Sequence, residues 1–132
     1  MSDSTYDENL SLPEEFYLAL EQLNAGEFFE CHETLEALWI PESGRIREVY
    51  QGVLHIAVGC YHLKERRNWT GAVNQLKKAV SKLVPWPDEI HGFELGDLRC
   101  LAQRLCAHLE NLGRDRIADY DSSFLPVARF HR

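Results

Sequence analysis

The sequence predicts an all-α fold: a compact bundle of about five helices in a single domain. Two observations carry this. Apolar residues recur with the 3.6-residue period of a helix face in segment after segment, and no stretch alternates with the period of two that a half-buried strand requires. Between the segments fall helix stops and starts built from Gly, Pro, Asn and Asp. With 132 residues, 45% of them hydrophobic, the chain has material for one core and no room for a second domain. There is no internal repeat and no low-complexity block.

The elements follow in order. Residues 1–10 are polar and acidic and are expected to form a disordered tail, ahead of a bundle over 11–113 and a C-terminal docking tail over 114–132. Ser11-Leu12-Pro13-Glu14 reads as a helix start, with Ser11 as N-cap, Pro13 in the first turn and Glu14 at the third helical position. That helix runs to about Leu23 and stops at Asn24-Ala25-Gly26. A second helix spans about Glu27 to Trp39 and is broken by Pro41-Glu42-Ser43-Gly44. The third, about Arg45 to Arg66, is apolar around most of its circumference and is expected at the centre. Asn68 caps a fourth helix to about Leu83, striped by Trp69, Ala72, Val73, Leu76, Val80 and Leu83. Pro85-Trp86-Pro87 ends it, and an Asp97 cap opens a fifth helix that runs to Gly113.

Charge and composition exclude several function classes. A net charge of −7 and a pI near 5.3 oppose binding to nucleic acid or an anionic membrane, whose affinity comes from clustered Lys and Arg. The one basic strip, Lys77, Lys78 and Lys82, reads as a solvated face. No apolar run approaches the roughly 20 residues of a membrane span and the start lacks a basic-then-apolar signal, so a cytoplasmic protein is expected. Cys31, Cys60, Cys100 and Cys106 form no CxxC pair and read as reduced, buried small hydrophobes rather than a structural zinc site. No Ser or Cys stands beside an obvious base, since neighbours such as Cys31 and His32 point about 100° apart on a helix.

The chemistry-bearing residues sit on the second and third helices. His32 and Glu36, one turn apart, fall within an arc that is otherwise apolar, and Glu33 lies at its edge. The third helix has one polar seam, Glu48, Gln51, His55 and His62, flanked by Gly52 and Gly59, which allow a close approach or leave a hollow. If that seam faces the second helix, the imidazoles and carboxylates converge. They would then suit a divalent metal ion held by His32, Glu36 and His62, with Glu33 as general base and Gln51, His55 and Trp39 lining the ligand. The same groups suit acid–base work without a metal. They also suit a buried hydrogen-bond network that fixes helix register in a structural or interaction module. A small ligand, a protein partner or a second copy is compatible with the sequence. The string His32-Glu33-x-x-Glu36 has Glu where HExxH has its second zinc-binding His, so a metalloprotease is not supported. The di-iron order Glu-x-x-His is likewise reversed.

At these residues the chain resembles the all-helical family catalogued as domain of unknown function 309. The resemblance rests on Gly26-Glu27-Phe28-Phe29-Glu30 leading into His32-Glu33-x-Leu35-Glu36-x-x-Trp39, then Gln51-Gly52, Ala57, Tyr61-His62, Asn68 and Gly71-Ala72. It covers about Pro13 to Leu83 and implies a compact helical bundle with His32, Glu33, Glu36, Trp39, Gln51 and His62 as signature positions, without an agreed reaction. His55 stands where the family pattern more often carries Gln.

Overall fold

The first helix, α1 (Glu14–Asn24), begins where Pro13 holds an extended backbone, and Glu14 and Glu15 in its first turn complement the positive end of the helix dipole. A computed structural model describes residues 12–132. The capping role read for Ser11 therefore lies outside the described residues. Pro13 itself occupies the N-cap position and Glu14 is the first helical residue, not the third. Proline's fixed φ and missing N–H suit it to stand just before or at the start of a helix, so the start shifts by a residue or two.

Gly26, at φ 77°, turns the chain into α2 (Phe28–Trp39). The central helix α3 (Arg47–Arg66) ends at a left-handed Arg67, and Asn68 then caps α4 (Trp69–Leu83) by accepting the Gly71 N–H at 2.9 Å. The last long helix, α5 (Leu95–Leu112), starts two residues before the Asp97 expected as its cap. Tertiary contacts set that start. Glu94 N–H donates to Arg129 O, Gly96 N–H donates to Asp88 O, each at 2.9 Å, and Gly96 packs so close to Asp88 that a side chain there would collide. Asp97 is thereby drawn into the first turn, where its Oδ2 is buried without a partner among the described residues.

Successive helices pack on one another, with α3 between α2 and α4. Phe16, Leu20, Leu35, Ile56, Leu63, Leu76 and Leu98 are completely buried, and Phe16 lies against Tyr50 and Phe93 at ring separations of 5.7 and 5.3 Å. Trp69 ties α4 to α5 by donating its indole N–H to Leu109 O at 2.7 Å. After α5 come two 3-10 helices, Arg114–Asp119 and Ser122–Phe124, and a final extended stretch. Phe124 stacks on His108 at 4.1 Å, and Ala128 is held at both its N–H and its C=O by the Asn24 amide, at 2.7 and 2.8 Å. Among the described residues there is no strand beyond isolated bridges at Phe93, and no helix is long and apolar enough to cross a membrane.

Three cysteines are buried as expected, and Cys100 is exposed. It occupies the water side of α5, two positions from Leu98 and from Ala102 in the buried stripe that continues to Leu105. Burial pushes the Cys31 thiol up to about 12 and raises Cys60 and Cys106 as well, so these thiols stay protonated and inert at neutral pH.

Candidate functional site

On α2, His32 Nε2 and Glu36 Oε2 stand 3.7 Å apart, with side chains 29% and 47% exposed. Water screens a pair this open, so it contributes little to stability: about 0–1 kcal/mol is typical of such pairs. Glu33, the general base expected from sequence, is exposed on the neighbouring side of the helix. Trp39 ends α2 as a clasp. The Arg47 guanidinium lies 4.6 Å over its ring while Arg47 Nε donates to Trp39 O at 3.2 Å, which fixes the corner between α2 and α3.

The polar seam of α3 is turned toward α4, not toward α2. Glu48 pairs with Lys82 at 3.3 Å, and His55 Nδ1 donates to Gln75 Oε1 at 2.7 Å. His62 lies against the first turn of α4, where a Cβ on Gly71 would stand 3.0 Å from its ring. The glycines explain the orientation. A Cβ on Gly52 would meet Leu83 and one on Gly59 would meet Leu76 and the Ala72 carbonyl, so the bare backbone of α3 at these positions admits α4 and carries the seam with it. Burial holds the His55 imidazole below its ordinary range, partly offset by the hydrogen bond it donates to Gln75 and reinforced by Lys78 and Lys82. Gln51 Oε1 and His62 Nδ1 are buried with no hydrogen-bond partner among the described residues.

What joins α2 to α3 on this side is a run of rings. His32 and Phe29 lie 6.0 Å apart, Phe29 and Tyr61 6.0 Å, and Tyr61 and His62 6.5 Å. The imidazoles of His32 and His62 thus sit at opposite ends of a four-ring string. The expected metal set of His32, Glu36 and His62 is not assembled: among the described residues no three His, Cys, Asp or Glu side chains are grouped to hold an ion. Phe29 and Tyr61 were hidden in the sequence by their apparent place among core positions. Yet Phe29 is 50% exposed. Beside it a cavity of about 200 Å³ is lined by Gly26, Phe28, Phe29, Glu30, Tyr61 and Glu65.

The ring run, the His32–Glu36 pair and the seam all fall within residues 16–75, which match the model of a family described as "Domain of unknown function (DUF309)". Through that segment the chain is similar to the DUF309 family. The match runs from Phe16 in α1 to Gln75 in α4, so it includes the His55–Gln75 hydrogen bond and ends before α5. A protein of Aquifex aeolicus (strain VF5), described as "Uncharacterized protein", is 30% identical over 83 residues, which is 62% of this chain and 25% of that relative. The chain therefore spans about a quarter of the length of that relative.

Proposed function

We propose that this chain is a binding module for a small molecule, with its site on the α2–α3 face formed by Phe29, His32, Glu36 and Tyr61. The seam residue His55 serves the fold through its hydrogen bond to Gln75 on α4. The observation that carries this reading is the half-exposed Phe29 ring in contact with both His32 and Tyr61. A single exposed apolar side chain is ordinary, but a ring set in water between a titratable pair and a second ring, over a cavity, presents a surface that folding alone does not require. His32 and Glu36 add a polar pair, 3.7 Å apart and partly open to water, beside the ring. A divalent metal ion has no part in this reading, because His62 lies beyond the rings from the His32–Glu36 pair.

Fragment titration followed by NMR, using small amines, carboxylates and phosphates, tests the proposal. Saturable shifts are expected to gather on Phe29, His32 and Tyr61. Phe29→Ala is expected to remove them while changing urea stability by no more than about 0.5 kcal/mol, as for surface substitutions in general. Shifts that gather elsewhere, or a stability loss above about 2 kcal/mol in both Phe29→Ala and His32→Ala, would show that these side chains serve the fold instead.

A further inference from the structure

The cavity beside Phe29 has the chemistry of a cation cage. Two kinds of wall form it: aromatic rings, from Phe28, Phe29 and Tyr61, and carboxylates, from Glu30 and Glu65. Ring faces carry partial negative charge and attract a cation held within about 6 Å of their centres. Neither Glu30 nor Glu65 forms an ion pair among the described residues, so both carboxylates are available to an incoming cation at the rim. The mouth is open because Gly26, which ends α1 in a left-handed conformation, has no side chain to fill it.

The chain's own cations already rest on these rings. Lys64 Nζ lies 5.7 Å from the centre of the Phe28 ring and would be 3.4 Å from a Cβ on Gly26, and the Arg66 guanidinium lies 5.7 Å from the centre of Tyr61. Lys64 is exposed and long, so its ammonium can swing out as another cation enters. We propose that the cavity binds a small organic ammonium ion, with Lys64 as the placeholder it displaces. The inference rests on reading the α2–α3 face as a binding surface and names the class of its ligand. The volume of about 200 Å³ is below the roughly 300–1,000 Å³ of pockets for drug-sized ligands, which fits a headgroup of a few heavy atoms. A bare metal ion is a poorer occupant, because rings are not ligands for hard cations and two carboxylates leave most of a coordination shell unfilled.

The test is an NMR titration with choline chloride at constant ionic strength, beside 3,3-dimethylbutan-1-ol, which has choline's shape without its charge. Choline is expected to give saturable shifts at Phe29 and Tyr61 that the alcohol does not. Tyr61→Ala should weaken choline binding about fivefold, the value of one cation–π contact. Lys64→Met should tighten it at least about threefold by removing the competitor, whereas Lys78→Met, which makes the same charge change on α4, should leave it unchanged. Equal shifts from choline and the alcohol would overturn the cation assignment and leave the α2–α3 face standing as a binding surface. Absence of any choline shift in both the parent chain and Lys64→Met would overturn the inference, and the fragment titration then decides the broader reading separately.

Discussion

Replacing Gly52 by Ala tests the contact that turns the α3 seam toward α4. The new Cβ would stand 2.5 Å from Leu83 Cδ2 and 2.7 Å from its Cγ, and Leu83 is completely buried, so the clash cannot be relieved by swinging a free end into water. Overpacking of this kind costs about 1–3 kcal/mol, and the upper end applies because the Leu83 branch point itself must move. Against that stands the gain of about 1 kcal/mol from replacing Gly by Ala inside a helix. The net expectation is a loss of about 2 kcal/mol, or a fall in Tm of roughly 6–10 °C for a chain of this size. Urea unfolding at constant m-value reads it directly. Leu83→Ala alone should cost about 3 kcal/mol as a buried cavity. The double variant should cost at least about 1 kcal/mol less than the sum, because the methyl at position 52 then enters the space Leu83 has vacated. A Gly52→Ala chain more stable than its parent, or a strictly additive double variant, would refute the packing argument and with it the orientation of the seam.

Two further outcomes follow from individual contacts. Burial keeps His55 below its ordinary value of 6.5, so as pH falls below about 6.5 the unfolded chain takes up a proton that the native imidazole resists; stability should fall over that range, and His55→Gln, which can still bond Gln75, should flatten that part of a urea-midpoint profile between pH 7.5 and 5.5. Asn24→Ala removes both bonds to Ala128 and leaves its N–H without a partner, so a loss of about 1–3 kcal/mol and faster proteolysis of the segment after residue 120 are expected by urea unfolding and timed digestion.

The bundle was legible in the sequence because periodicity and punctuation agreed: Gly26, Asn68 and Gly113 mark real helix ends, and Asn68 caps α4 as its residue type suggests. The start of α5 was not legible, because Asp97 has the composition of a cap while the contacts that set the start, Glu94 to Arg129 and Gly96 to Asp88, come from residues distant in sequence. The same limit applies to the site. A helical wheel fixes which residues share a face, so Glu48, His55 and His62 were correctly placed together with Gly52 and Gly59. It does not say which neighbour that face meets. The glycines signalled a close helix, and both α2 and α4 were available to fill that role. Phe29 illustrates a complementary failure: an apolar type at a position near the core arc reads as buried, and only the tertiary arrangement leaves it half in water.

The orientation of α3 also sets which neighbours its polar residues meet. Gln51 and His62 are eleven residues apart on one side of the helix, about 16 Å along its axis, and His55 between them is already engaged by Gln75. One small ligand therefore cannot satisfy both Gln51 Oε1 and His62 Nδ1. The sequence offered a ligand site and a register-fixing network as alternatives for residues that looked like one cluster, and the structure places those residues on two sides of α3. His55 bonds Gln75 and Glu48 pairs with Lys82, both partners on α4, and His32 and Glu36 lie on the α2 side with water and rings beside them. Mutating the seam should accordingly change stability before it changes binding, and mutating the α2 face should do the reverse, so the ratio of the two effects at each position maps where the fold ends and the function begins.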